Sequence, residues 1–349
     1  MNVQSERKLT GMSDPEKQKI LLMVLPLWDS LIPPLGMSCL KSFLHSHGYR
    51  VKTVDANINK DLKDFCDTYF AALKGFIPFE KRSNFYSLAY DAFADHMMAH
   101  LNRKDEEEYA GLVGSIVANT FYYSLTGHQV RKLSRIIADF YAQLEAYLSP
   151  LLLKEKPAVL GLTVFSSTLP ASLFTFKLAK KIVPGIKTLI KKNVFSNQLA
   201  PGSPDLEFFL EKTVDYIDKL FIGEGELLFL KYLRGELPGS QRVYMLKDIE
   251  GRTLNIAELP PPDFSDMDLD FYNYLAFYGS RSCPMNCTFC SETIIWGKYR
   301  KKTPGQIVNG LKILNETHHS QLFVLCDSLL NPVASNLAKK LVKKELIVY

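Results

Sequence analysis

The chain has 349 residues and a formal net charge of +5; its lysines and arginines are spread along its length, so no basic stripe forms and a nucleic-acid partner is not indicated. Six cysteines in a chain this long do not make a disulfide framework, and their clustering points instead to a metal and a reducing compartment. The N-terminus is polar, unlike a signal peptide, and the longest apolar runs, such as Ile20 to Leu27, fall short of the roughly 20 residues that span a bilayer, so a cytoplasmic protein away from the membrane is expected.

The length suits two domains or one large one. Residues 1–18 read as a disordered lead-in. The apolar run from Ile20 to Leu25 predicts a buried strand. A loop over 26–34 follows, then a helix from Leu35 to His47 stopped by Gly48, and a second strand from Tyr49 to Val54. Strand, loop, helix, strand is the opening of a parallel α/β sheet.

Residues 58–150 change character. Leu, Phe, Tyr and Ala recur at helical intervals, as in Tyr86, Tyr90, Phe93 and Met97, and predict three to five inserted helices. His96 and His100 are four apart on one of them; with no further ligand at matching spacing they read as a helix surface or a satisfied interior pair.

The strand–helix alternation then resumes. Ala158–Thr163, Lys187–Ile190 and Leu220–Ile222 predict strands, with helices over 169–182, 205–214 and from about 226 to 234. This makes about five parallel strands, whose ligands are expected at their carboxyl ends. Those ends hold 26–34, 163–168, 191–196 and 223–226. Val243 to Leu254 reads as a small hairpin around Glu250-Gly251, and the Pro-rich stretch from Leu259 to Phe264 as a linker. Strands are expected over 274–280, 322–325 and from 347, with helices over 303–315 and 331–343. An unclosed run of parallel strands would leave an exposed edge, so the chain is expected to be the N-terminal part of a longer enzyme.

The densest chemistry lies in Cys283-Pro284-Met285-Asn286-Cys287-Thr288-Phe289-Cys290. The spacing is C-x3-C-x2-C. Three thiolates on one short loop can grip one soft metal centre. On a four-iron cluster they would leave one iron open to chemistry. The other readings are a zinc site, which lacks a local fourth ligand, or free thiols. Cys39, Cys66 and Cys326 read as core residues. Thr163, Ser166 and Ser167 could hydrogen-bond a cofactor or cap the following helix. Gly223-Glu224-Gly225-Glu226 could be a ligand turn or an acidic helix start. Trp28 reads as loop packing, and 297–301 as a basic patch or a solvated turn.

The cysteine loop resembles the CxxxCxΦC signature of the radical S-adenosylmethionine (radical SAM) enzymes, with Phe289 at Φ. The layout resembles members of that class with an N-terminal cobalamin-binding-type domain. The matching stretches are Pro34-Leu35-Gly36, Gly48-Tyr49, Asp55, Ile222-Gly223-Glu224-Gly225-Glu226, Pro262-Asp263-Phe264 and Ser280-Arg281-Ser282-Cys283-Pro284. The resemblance covers about 20–55, 157–235 and 258–349. It implies an α/β fold: a Rossmann-like parallel sheet over 19–240 with a helical insert at about 58–150, a hairpin and linker over 241–265, and the start of a partial radical SAM β/α barrel over 266–349. It implies a 4Fe–4S cluster on Cys283, Cys287 and Cys290, with S-adenosylmethionine near Phe289, Asp327 and Ser328. Cobalamin would lie against Thr163, Ser166, Ser167, Gly223, Glu224 and Gly225. The DxHxxG cobalt-ligand signature does not occur, and Lys191-Lys192 stand where small glycines are expected.

The function implied is reductive cleavage of S-adenosylmethionine to start radical chemistry: methyl transfer, oxidation or rearrangement. The substrate would be a small molecule or peptide, and the electron donor a flavodoxin or ferredoxin. The alternatives are a non-catalytic iron–sulfur electron-transfer protein, and a cobalamin-binding or substrate-docking module.

Overall fold

The computed structural model describes residues 19–28, 31–191, 199–285, 287–342 and 347–348; the expected lead-in over 1–18 lies outside them. The fold is α/β, as expected. Six strands form one parallel sheet: β1 (Lys19–Val24), β2 (Arg50–Asp55), β3 (Val159–Thr163), β4 (Lys187–Lys191), β5 (Lys219–Ile222) and β6 (Val243–Met245). Their order is β2-β1-β3-β4-β5-β6. The chain runs outward from β1 to β2 and then returns across β1 to β3. That reversal opens a crevice beyond the carboxyl ends of β1 and β3, where open α/β sheets hold ligands. β1 and β3 carry near-continuous buried runs, as strands covered on both faces must.

One face of the sheet is covered by the insert. Its four helices are α2 (Lys60–Phe76), α3 (Phe85–Asn102), α4 (Glu106–Phe121) and α5 (Gly127–Glu155). They share a core with β1, β3 and helices α6 (Leu169–Ile182) and α7 (Pro204–Lys212). The caps agree with the sequence: Asn59 accepts from the Leu62 N–H, and Thr126 and Gln129 form a capping box on α5. His96 and His100 face inward. The His96 ring bonds the hydroxyls of Tyr69 at 3.0 Å and Tyr109 at 2.8 Å. They are a satisfied interior pair.

The other face is covered by α1 (Leu35–His45) and α8 (Gly225–Leu233), and its core continues without a break into a second, smaller sheet. That sheet has three parallel strands, β7 (Leu275–Phe277), β10 (Leu322–Leu325) and β11 (Ile347–Val348), in the order β11-β10-β7. Helices α10 (Pro304–His318) and α11 (Asn331–Leu341) connect them. These are the two βα units expected over this stretch. Gly310 on α10 lets the helix close on β7, because a Cβ there would stand 2.3 Å from the Phe277 ring.

The linker is clamped onto the first sheet. Lys41, 2% exposed on α1, pairs with Asp263 at 3.2 Å and Asp266 at 2.9 Å and donates to Ser265 Oγ. Asp266 also accepts from the Thr53 N–H, Tyr272 donates to Asp55, and Phe264 is fully buried. The Pro262-Asp263-Phe264 stretch is thus a docking point.

The hairpin expected over 243–254 is not there. β6 adds in parallel to β5, because buried Tyr244 stacks on Phe221 with ring centroids 5.5 Å apart. One short helical turn follows, and Glu250 and Gly251 both take positive φ without a returning strand. The strand expected over 274–280 also splits: after β7, Ser280–Arg281 leaves the sheet as β8 and pairs antiparallel with β9 (Arg300–Lys301).

Burial lowers the pKa of His96 to about 3 and of His100 to about 4, each helped by a neighbouring basic group. The unfolded chain therefore binds more protons than the folded one below about pH 6.5. Stability is expected to be full above that value and to fall as pH drops toward 4. Denaturant unfolding from pH 7 to pH 5 should show this slope, and His96→Gln should flatten it; equal slopes in the two proteins would refute the assignment.

Candidate functional site

The cysteine loop leaves and re-enters the fold through the β8–β9 ribbon. Ser280 pairs with Lys301 and Arg281 with Arg300 across its neck. Cys283, Cys287 and Cys290 follow β8, and α9 (Glu292–Trp296) precedes β9. Cys283 and Cys290 are half-buried and Cys287 is exposed. The Cys290 N–H donates to the Cys287 carbonyl at 3.1 Å, which turns the chain between the last two thiols. Among the described residues no three His, Cys, Asp or Glu side chains converge on one metal-sized point. The three thiols share a loop without being drawn together. Ser282 takes φ 67°, a left-handed conformation in which a glycine would be at ease, and its hydroxyl donates to the Gly297 carbonyl at 2.7 Å.

The neck sets two guanidinium groups opposite each other. Like charges directly across a ribbon repel, and here a carboxylate from the other sheet answers them. Glu224, in the turn after β5, pairs with Arg281 at 2.8 Å and with Arg300 at 2.7 Å. Glu226, at the start of α8, takes the second Arg281 nitrogen at 2.7 Å. The Glu224 side chain is 1% exposed and that of Arg281 10%, so solvent cannot replace a lost partner. Breaking such a buried pair typically costs about 3–5 kcal/mol. Arg300 also donates to the carbonyls of Leu254 and Trp296. Burial pushes the Glu226 carboxyl up, but Arg281 and Lys191 outweigh it and hold the group ionised well below the usual range.

Beside this cluster lies a cavity of about 360 Å3. Its walls come from the carboxyl ends of the large sheet (Trp28, Thr163, Lys191 and Gly223) and from both ends of the cysteine loop, with Arg281 and Ser282 before the cysteines and Glu292 and Trp296 after them. Trp28 and Phe165 stack at 5.1 Å across the topological reversal. The stem of Lys191 lies over Gly225, where a Cβ would stand 2.5 Å from its Cε. Glu226 Oε2 faces no hydrogen-bond donor among the described residues.

The structure redistributes the residues singled out from sequence. Thr163, Gly223 and Ser328 line the cavity. Gly225 lies beneath Lys191 rather than on the wall. Ser166 and Ser167 sit in the turn after β3, off the wall, and the turn is closed by Thr168 instead, whose Oγ1 accepts from the Phe165 N–H at 2.9 Å. Glu224 is spent on two arginines. Asp327 is spent as well: it accepts from the Gly279 N–H at 2.9 Å and from the Ser280 hydroxyl, joining the end of β10 to the approach of the cysteine loop. Ser328 donates to Glu292 at 2.6 Å. The Phe289 ring is 91% exposed. Cys39 and Cys66 are buried and Cys326 is exposed; Cys39 and Cys326 both line the cavity. Lys192 and the first-loop residues Asp29 and Ser30 lie outside the described residues.

Arg281 and Arg300 were missed. The basic cluster over 297–301 was visible, but nothing in it marks Arg300 as turned inward. No helix among the described residues is long and apolar enough to cross a membrane.

No protein-family model matches the chain. It is similar to the anaerobic magnesium-protoporphyrin IX monomethyl ester cyclase of Rubrivivax gelatinosus, 24% identical over 196 residues, which are 49% of this chain and 34% of the relative. It is similar to an uncharacterized methyltransferase of Pyrococcus horikoshii, 27% identical over 187 residues (46% and 38%), and to another of Synechocystis sp., 31% identical over 137 residues (38% and 24%). The chain thus spans less than two fifths of the length of these relatives, all of which are enzymes by name. Among solved structures it is similar to TsrM of Kitasatospora setae, a radical S-adenosylmethionine methyltransferase, at 13% identity and a TM-score of 0.49 over 95% of this chain and 54% of that one. TsrM has been solved with tryptophan substrate and an S-adenosylmethionine analogue, and with cobalamin and a 4Fe–4S cluster.

Asp327→Ala should free the Gly279 N–H and the Ser280 hydroxyl and destabilise the β7–β10 junction by about 1–3 kcal/mol. Chemical denaturation checks this; an unchanged midpoint would mean that the junction does not rely on the carboxylate.

Proposed function

We propose that this chain carries the cofactor-binding part of a radical S-adenosylmethionine enzyme. The observation that supports the reading is positional. A C-x3-C-x2-C loop hangs at the carboxyl end of the first strand of a parallel β/α sheet, and both its ends border a cavity shared with the large sheet. Carboxyl ends of barrel strands are where barrel active sites sit.

The donor set fits the cluster in kind. Cys283, Cys287 and Cys290 offer three soft thiolates on a partly exposed loop, and holding the group requires their side chains to turn toward one point. A 4Fe–4S cluster held by these three thiolates would supply the reducing electron for cleavage of S-adenosylmethionine. The chain's own residues do the rest. Trp28, Phe165 and Trp296 give the cavity apolar aromatic walls that exclude water. Lys191 and Glu226 place a cation and an anion at its inner end. The Arg281–Glu224–Arg300 bridge holds the neck of the loop. At about 360 Å3 the cavity suits a small molecule or the tip of a peptide. An electron donor such as a flavodoxin or ferredoxin, and a cytoplasmic location, belong to the same proposal.

Cobalamin fits the residues only in part. Thr163 and Gly223 offer wall, but the first loop has no histidine to ligate cobalt, and the Lys191 stem fills the space above Gly225. Methyl transfer through cobalamin is therefore left as one outcome of test, with no step assigned to it.

Anaerobic reconstitution with iron and sulfide, followed by EPR of the reduced protein, tests the central reading. A 4Fe–4S signal is expected that shifts on adding S-adenosylmethionine and vanishes in Cys287→Ala. A signal that ignores S-adenosylmethionine would favour an electron-transfer protein, and no signal in the intact chain would sink the proposal.

Titration with hydroxocobalamin, followed by absorbance, tests the second part. Lys191→Ala should tighten binding about tenfold, since clearing the stem is worth about two buried methylene groups. Equal affinity in the two proteins would show that Lys191 does not obstruct the site.

A further inference from the structure

We infer that Glu224 is a positioning residue for the cysteine loop: it closes the loop's neck by neutralising two arginines that face each other across it. The residues that make the neck come from β8 and β9, each two residues long, which among the described residues form a ribbon of two strands. So short a ribbon is marginal by itself. One of its two cross-strand pairs is Arg281 with Arg300, which drives the strands apart unless an anion sits between them.

Glu224 is that anion. Oε1 accepts from Arg281, and Oε2 stands 2.7 Å from the Arg300 guanidinium as an ion pair without hydrogen-bond alignment, so the charge of one carboxylate spans the ribbon. It comes from the large sheet, where β5 delivers it through Gly223 at φ 94°. Of the two arginines, Glu226 pairs with Arg281 and so does not bridge the ribbon. The loop's entry and exit are thus held at a separation set by one side chain of the other sheet, and the three cysteines hang from that separation. The turn 223–226 acts on the loop through this bridge, without touching the cysteines.

Glu226 extends the connection to the cavity. It lines the wall, its Oε2 has no donor among the described residues, and its other oxygen holds Arg281.

The test uses the full chain, iron-free and reconstituted. In the iron-free protein, hydrogen exchange followed by mass spectrometry reads the amides of 280–302 directly. E224Q keeps the shape of the side chain and removes its charge. It should raise exchange in 280–302 at least tenfold and leave β1 and β3 unchanged. E226Q, which leaves the bridge in place, should have a smaller effect. R300Q added to E224Q removes one of the two opposed charges and should bring the exchange back down, which a merely structural role of the turn 223–226 would not produce. Unchanged exchange in E224Q, or no recovery in the double variant, would overturn the inference.

The reconstituted protein gives a second readout that rests on the radical S-adenosylmethionine reading. The EPR shift should require about tenfold more S-adenosylmethionine in E224Q than in wild type, and an equal requirement would overturn the role toward the cofactor. If the wild-type chain takes no cluster, that reading fails by itself, and the exchange data still decide the role of Glu224.

Discussion

Two guanidinium groups cannot face each other across a two-residue ribbon in a site closed to water unless a carboxylate lies between them. The arrangement of the candidate site follows from that constraint. Arg281 and Arg300 hold the two ends of the cysteine loop, and Glu224 reaches them from the turn after β5 of the large sheet. The two sheets must therefore stay in register for the loop to keep its base. The packing enforces that register in two further places. Lys41 anchors the linker through Asp263 and Asp266, and the core beneath α1 and α8 runs on through Phe264 to Phe277 and Phe323.

This construction accounts for where the cavity lies. The strand order reverses between β1 and β3, and the crevice so formed faces the carboxyl end of β7. Neither sheet encloses a site by itself. The large one supplies aromatic wall and a lysine; the small one supplies the loop and its arginines. The helical insert takes no part in this wall. It caps the opposite face, and its histidine and tyrosine hydroxyls satisfy one another in the interior, which is how a buried polar group avoids its desolvation penalty.

Several residues that read as ligands also act as fasteners. Asp327, which the resemblance sets near S-adenosylmethionine, accepts from the Gly279 N–H and the Ser280 hydroxyl. Glu224 was read as a ligand or as an acidic helix start. A buried carboxylate takes the nearest cations available, and sequence spacing does not say which cations those are. The hairpin expected around Glu250-Gly251 failed for a related reason. A turn signal tells where a chain bends, but Tyr244 was drawn to Phe221 across the sheet edge, and that contact chose the pairing.

By itself the sequence determined what depends on neighbours along the chain. Runs such as Ile20 to Leu25 could only be strands buried on both faces. Helices such as 169–182 were legible from their spacing. The C-x3-C-x2-C loop and its soft-metal chemistry were legible because all its donors lie within eight residues. Tertiary structure alone decided what depends on residues far apart: the pairing of Glu224 with Arg281 and Arg300, the Lys191 stem over Gly225, and the shared cavity. The physical reason is the range of the forces. Backbone geometry and side-chain periodicity act over a few residues, while charge pairing and close packing act through space, between whichever groups folding brings together.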